Sequence, residues 1–316
     1  MCQVLAFLLI FYLKMEITVL LYKVKNFINF SEKEWVINMN FKKSNATICF
    51  PGKESLEGIT DMCIAAHQDD IEIMAYAPIS ECYDSETRSF CGVVMTDGAG
   101  SPRAGEYSNY TNEQMKEVRI EEQNDAARLG KYAAILQLGY ASSEIKDGAN
   151  KDTVDELYDL LCKIQPKRLY THNLADKHET HVAVVLRVIE AVRRMPEDIR
   201  PEEVVSLEVW RNLDWLPDSQ KVCLDTSKHP QLAEDLITVY RSQVVGGKSY
   251  DKAAIGRRCA NATFFESHNT DEASSQSFGL DLMPLIKGDA TPTEYIVSYI
   301  DMFKSEVENT IARLTK

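Results

Sequence analysis

Three absences narrow the reading of this chain at once. No apolar run reaches the roughly 20 residues that a membrane-spanning helix requires. Val4 to Leu13 is nearly all apolar, but Lys14 and Glu16 interrupt it at about half that length. No basic region precedes the run and no small-residue cleavage site follows it, so it does not read as a secretory signal. The eight cysteines (Cys2, Cys49, Cys63, Cys82, Cys91, Cys162, Cys223 and Cys259) are scattered, with no CxxC pair. That spacing argues against a disulfide framework and for a reduced, cytoplasmic setting. Basic clusters are missing too. Lys and Arg number 35 against 48 Asp and Glu, a net charge of −13, which argues against a nucleic-acid partner. Internal repeats and low-complexity linkers are also absent.

What remains is an ordinary globular composition, 45% apolar and 26% charged over 316 residues, enough for one large core. Met39 begins a more usual protein start. Residues 1–38 therefore read as an extension from an upstream start-codon choice, with a weak anchor as the minor alternative, and 39–316 as one domain. From Asp61 onward the pattern alternates in type. Short apolar runs at Met62–Ala66, Phe90–Met95, Ala133–Leu138, Arg168–Tyr170 and Val204–Val209 read as strands. Helical patterns separate them, at Asp70–Cys82, Glu113–Leu129, from Asp152 to about Pro166, and Val182–Val192. Such alternation predicts an α/β fold with a doubly wound, mostly parallel, Rossmann-like sheet. Gly98–Asn112 is rich in Gly, Ser, Asn and Pro, hence a loop; without a Lys at fixed spacing its phosphate-binding signal is weak. Residues 220–316 read as mostly helical, with helices from 230 onward packed on the core. Thr291-Pro292-Thr293-Glu294 is a capping-box start with Pro at the first helical position. It opens a helix with Ile296, Ile300, Phe303, Val307, Ile311 and Leu314 on one face, most simply laid against the body.

Two stretches carry chemistry. The first strand ends in His67-Gln68-Asp69-Asp70, one histidine and two adjacent carboxylates where a helix begins. In open α/β sheets ligands bind at the carboxyl ends of strands. One Asp could simply cap the helix, but a cap has no need of the second carboxylate or of His67. The second stretch runs from Thr171 to His181 and holds His172, His178 and His181, three of the six histidines. Asp176 with Glu179 looks like a capping arrangement. His178 and His181, at i and i+3 on a first helical turn, share a face. Together the two stretches offer four candidate ligands and a spare carboxylate, as metal-assisted hydrolysis requires. On the middle helix Glu122 occupies an apolar stripe, with Arg119 one turn earlier. This is either a surface ion pair or a carboxylate holding Arg119 towards an interior site.

A strand ending in Ala-His-x-Asp-Asp, followed at a distance by His-x-x-His opening a helix, resembles the LmbE-like (PIG-L) N-deacetylase family over about residues 60–210. The resemblance implies a Rossmann-like fold and removal of acetyl from an N-acetylated amino sugar, an N-acetylglucosamine-type conjugate. It implies one catalytic Zn²⁺ held by His67, Asp70 and His181; Fe²⁺ would suit the same ligands. Asp69 would be the general base, and His178 would steady the oxyanion or protonate the leaving amine. Arg119 would bind substrate, and Asp147 would bind sugar hydroxyls. The chain departs from the family at Gln68, where Pro is usual, and at Ile71, where Glu is usual, with Glu72 displaced by one. His178-Glu179-Thr180-His181 replaces the usual His-Pro-Asp-His.

Two other classes compete: a non-catalytic metal- or sugar-binding member of the fold, and another metallohydrolase. A two-metal phosphoesterase has too few clustered carboxylates here. The spare Asp69 favours the enzyme. The partner is then a small amino-sugar conjugate, with nucleic acid and membrane disfavoured and a homo-oligomer left open. If residues 1–38 are a start-site extension, a chain begun at Met39 should be soluble and folded as the long form is. Membrane association seen only in the long form would identify an anchor instead.

Overall fold

The computed structural model describes residues 41–245, 250–266, 268 and 271–316; the expected extension 1–38 and its boundary at Met39 lie outside them. In chain order the elements are β1 (Thr47–Cys49), β2 (Asp61–Ala65), α1 (Asp70–Met74), α2 (Tyr76–Tyr83), β3 (Phe90–Thr96), α3 (Asn112–Leu129) and β4 (Ala134–Tyr140). They continue with α4 (Ser142–Lys146), α5 (Asp152–Ile164), β5 (Arg168–His172), α6 (Glu179–Arg194), β6 (Glu203–Leu207) and β7 (Val222–Asp225). The last are α7 (Pro230–Thr238), α8 (Arg241–Gln243), α9 (Asp251–Asn261), β8 (Gln276–Asp281), α10 (Met283–Lys287) and α11 (Pro292–Leu314).

One eight-stranded sheet runs in the order β1-β4-β3-β2-β5-β6-β8-β7. The five strands from β4 to β6 are mutually parallel, which bears out the doubly wound reading. The chain leaves β2 in one direction, through β3 to β4, and later returns to β2's other side through β5 to β6. The switch point therefore lies between β2 and β5, and the crevice at their carboxyl ends is the natural ligand site. These strands are apolar along nearly their whole length because helices cover both faces; β2, β3 and β4 are buried at every residue.

The last hundred residues differ from the expected run of helices. β8 pairs antiparallel with β6, and β7 antiparallel with β8, so the C-terminal region extends the sheet. Gly279 permits this: a Cβ there would lie 2.4 Å from Val205 Cγ1 on β6. β1 adds an antiparallel edge on the far side of β4. The helix expected over Asp70–Cys82 is two, broken at Ala75.

A second correction concerns α11. Its capping box and Pro292 are as read from the sequence. Tyr295 and Ile296 are buried, with the Tyr295 hydroxyl donating to the Asp281 carbonyl at the end of β8. Among the described residues little covers it beyond that first turn, and from Ile300 to the last residue every position is exposed. The helix does not lie on the core.

One buried carboxylate ties the crevice helix to three other parts of the chain. Glu72 on α1 accepts hydrogen bonds from the Tyr132 hydroxyl (2.7 Å), the Gln123 amide on α3 (2.9 Å) and the Tyr240 hydroxyl (2.6 Å). Burial pushes its carboxyl above the ordinary range, and these three donors partly offset that. Each buried donor left without a partner costs about 1–3 kcal/mol. Glu72→Ala is therefore expected to lower stability by roughly 3–5 kcal/mol in denaturant unfolding, allowing for partial relaxation. An unchanged unfolding midpoint would show that the three donors find other partners at no cost.

Candidate active site

The residues after β2 leave the strand through a left-handed turn. Asp69 has φ 88° and ψ −28°, which Asp tolerates better than most side chains, and it is the residue before α1. Its carboxylate makes no capping hydrogen bond, so helix capping does not explain it. The turn sends the two neighbouring carboxylates apart, Asp70 beneath the histidines and Asp69 towards α3. This turn, rather than alternation along a strand, separates them.

Asp70 Oδ2 lies 3.1 Å from His67 Nδ1 and 3.3 Å from His181 Nε2, and those two nitrogens are 3.3 Å apart. Three donor atoms thus form a triangle with nearly equal edges. A tetrahedral cation with bonds of about 2.0–2.1 Å holds its ligand atoms about 3.3 Å from one another. The spacing fits such an ion, and so does the chemistry, two imidazoles and one carboxylate. Among the described residues two overlapping sets of groups that could hold a metal ion fall here, one with His67, His178 and His181, the other with Asp70, His172 and His181.

Electrostatics at the triangle point the same way. Burial alone would raise the Asp70 carboxyl, but His181, His172 and His67 outweigh it and hold it well below the carboxylate range. Burial likewise disfavours a charged His181, yet Asp70 and Asp176 push it up to about 10. The pocket therefore attracts positive charge strongly enough to keep a proton on a buried imidazole.

The Asp176 carboxylate was read as part of a cap; its role is wider. Oδ1 accepts the His178 amide (2.9 Å), while Oδ2 sits 3.1 Å from His181 Nδ1. With Nδ1 bound to a carboxylate, His181 directs Nε2 into the triangle, the arrangement that orients metal-binding histidines. His172 had no assigned role. It is fully buried and stacks on His181, ring centres 4.0 Å apart and 14° from parallel. Its Nε2 accepts the Ala66 amide at 2.8 Å, and burial, with His181 beside it, pulls its pKa down to about 4. It is a neutral floor beneath His181. The only sequence sign of it was its place at the end of the strand neighbouring β2.

Asp69 is held from three sides. Its amide donates to Gln123 Oε1 (3.4 Å), Arg119 Nη2 lies 3.1 Å from Oδ2, and the Tyr250 hydroxyl donates to Oδ2. Burial, offset in part by Arg119 and reinforced by Asp70, raises its carboxyl above the ordinary value. Arg119 is buried, so the surface-pair reading gives way to the interior one. Nη1 donates to Glu122 (2.8 Å) and to the Ser242 hydroxyl (3.2 Å), while Nη2 faces Asp69 and the Gln68 carbonyl. Glu122 in turn accepts both the amide and the hydroxyl of Ser242, each at 2.7 Å. Every Nη hydrogen of Arg119 thus has an acceptor within the protein.

His178 precedes α6 and lies edge-on to His67, with ring centres 5.1 Å apart. Burial, with His181 and His67 nearby, lowers its pKa. It lines a cleft of about 320 Å³ together with His67, Asp69, Asp70, Arg119 and His181. The glycine-rich loop contributes Gly98, Gly100, Ser101 and Pro102 to its lining, and Trp210 and Tyr250 line it as well. Asp147 is not among the lining residues. It is exposed, and Oδ1 turns back to accept the Ala149 amide at 2.9 Å. The same segment sends Ser142 and Lys146 to the cleft instead.

Comparison with known proteins agrees with this fold. An N,N'-diacetylchitobiose deacetylase from Pyrococcus horikoshii superposes with TM-score 0.57 at 19% identity, over 73% of this chain and 86% of that one. An A40926 pseudoaglycone deacetylase gives 0.52 at 12% identity, over 70% and 96%. A 4-carboxy-2-hydroxymuconate hydratase from Pseudomonas putida KT2440 gives 0.56 at 17% identity, over 74% and 100%. At such identities the likeness establishes the fold alone, and the hydratase shows that the fold is not confined to deacetylation. No curated protein sequence matches the chain. Residues 62–192, which carry every group of the histidine–carboxylate cluster, match the model of the PIG-L family, GlcNAc-PI de-N-acetylase.

Proposed function

We propose that this protein is a metal-dependent hydrolase that removes acetyl from an N-acetylated amino sugar. The observation that carries the proposal is the triangle of His67 Nδ1, Asp70 Oδ2 and His181 Nε2, with a separately held carboxylate, Asp69, in the same cleft. The match of residues 62–192 to the PIG-L family model and the likeness to an N,N'-diacetylchitobiose deacetylase and an A40926 pseudoaglycone deacetylase support the substrate class.

In this reading His67, Asp70 and His181 hold one metal ion, with zinc favoured by the donor set and Fe²⁺ compatible with it. A bound zinc ion polarises a carbonyl and lowers the pKa of water. Asp69 accepts the proton of the attacking water, and its raised pKa suits a base working nearer neutrality. The Arg119 guanidinium and the Tyr250 hydroxyl fix where that carboxylate points. Arg119 acts on substrate through Asp69 as much as by direct contact. His178, at the cleft wall, supplies a proton to the developing oxyanion or to the departing amine. A cytoplasmic setting and a small-molecule partner belong to the same reading.

The direct test is metal content measured together with acetate release from a panel of N-acetylglucosamine conjugates. His181→Ala is expected to strip the metal and leave the fold intact; a variant that keeps one equivalent of metal refutes the ligand set. Asp69→Asn should keep near-normal metal but lose deacetylation by about 10²–10⁴-fold, the usual worth of a general base. If Asp69→Asn loses its metal instead, the roles of Asp69 and Asp70 are exchanged. A wild-type protein that binds such conjugates and releases no acetate is a binding module. Arg119→Lys keeps the charge but not the planar fork. It should slow turnover by about an order of magnitude with metal content unchanged. A change in stability alone would reduce the Arg119–Glu122 pair to packing.

A further inference from the structure

From its second turn α11 leaves the body and carries Val297, Ile300, Phe303, Val307, Ile311 and Leu314 into solvent, each between 39% and 76% exposed. Monomeric proteins rarely leave so long an apolar row bare. Ile296, Ile300, Phe303, Val307 and Leu314 follow the alternating three-and-four spacing of a coiled-coil seam, with Thr310 and Ile311 filling the turn between the last two. Glu306 and Arg313 flank that seam one heptad apart, on the same side.

We propose that this stripe is covered by α11 of a second copy of the chain, in an antiparallel two-helix coil. Setting Phe303 against the partner's Leu314, and Val307 against the partner's Thr310, brings Glu306 opposite the partner's Arg313. The two-fold axis repeats that ion pair on the other half of the interface. The same register lays the Lys304 stem over the partner's Ile311. Phe303, Val307, Ile311 and Leu314 from each copy, with the flanking Lys304, Glu306 and Arg313 stems, offer on the order of 1,000 Å² of buried surface, the lower limit of a specific interface, while Val297 and Ile300 lie outside the overlap.

Orientation follows from two facts. Ile296 begins the stripe and is buried against its own body, so a parallel partner would bring a second body to the same place. The bodies also repel, since each chain carries a net charge of −13. Antiparallel pairing in this register sets them at opposite ends of a rod roughly 37 Å long, beyond the roughly 8 Å screening length at physiological salt. An anionic lipid surface is a poorer occupant. Over residues 297–316 Lys304, Arg313 and Lys316 are balanced by Asp301, Glu306 and Glu308, so the segment has no excess positive charge to offer it.

The test is the solution mass of the full chain by light scattering, with circular dichroism to confirm that each variant remains folded. The wild type is expected to be a dimer and Val307→Glu a monomer. Glu306→Arg and Arg313→Glu should each weaken the dimer about tenfold by placing like charges opposite one another, and the double exchange should restore it. A monomeric wild type, or a dimer indifferent to Val307→Glu, overturns the proposal. A dimer lost in Val307→Glu but indifferent to both single exchanges overturns the antiparallel register. Sedimentation of monomeric wild type with phosphatidylserine-containing vesicles, abolished by Val307→Glu, assigns the stripe to a membrane instead.

Discussion

The carboxylate oxygen Asp70 Oδ2 sits at the switch point of the sheet, with His67, His172 and His181 all within 3.4 Å. A buried negative charge without compensation is unfavourable by several kcal/mol, so something positive must share the site. Within the protein the answer is a proton on His181, held there by Asp70 on one side and Asp176 on the other. A cation held between the three donor atoms would supply the same positive charge. Metal binding would displace the proton, because a ligating imidazole must be neutral at the donor nitrogen. The rest of the site reads as scaffolding for this exchange: His172 fixes the plane of the His181 ring and Asp176 fixes its tautomer.

Asp69 is separated from this arrangement by one residue and by a different set of restraints. Asp70 is tuned towards permanent ionisation by histidines; Asp69 is lifted by burial and checked by Arg119. Two adjacent carboxylates whose surroundings push them in opposite directions are suited to different tasks. The left-handed backbone at Asp69 makes the division geometrically possible, since it turns one side chain under the histidines and the other towards α3.

Much of this was legible in the sequence, for physical reasons. Fully buried parallel strands read as continuous apolar runs, so β2 to β6 stood out. A histidine beside two carboxylates at a strand end has no economical structural explanation, so the site stood out as well. What was missed was non-local or ambiguous. His172 looks like any strand-end residue until its stacking partner is known, and Asp176 matches a capping pattern that the helix start at Glu179 does not use. Asp147 was assigned by loop position, but an Asp before Gly-Ala readily closes a turn on its own backbone, as it does here. β8 carries a glycine and polar residues because it needs only to fit beside β6. The α11 stripe was read correctly as apolar and wrongly as covered, since periodicity reports which face is apolar and not what lies against it.

The family match ends at residue 192, yet the site does not. Tyr240 bonds Glu72, Ser242 bonds Glu122 and Arg119, Tyr250 bonds Asp69, and Arg258 donates to the carbonyls of Glu72 and Ile73. All four come from one stretch of the C-terminal region, and they bond Asp69, α1 or the Arg119–Glu122 pair rather than the donor atoms of the metal-fitting triangle. The division is physically reasonable. The triangle needs only short-range groups from β2, β5 and α6, which one compact α/β unit provides. The direction from which Asp69 faces it depends on how α1 and α3 are braced from outside, and Gln68 and Glu72 are two of those braces. Glu72 meets Tyr132 and Tyr240, whereas Gln68 donates to the Thr96 carbonyl and the Gln137 side chain. Gln68 and Glu72 thus hold the surroundings of Asp69 from within the fold, while the donor atoms of the triangle come from other residues.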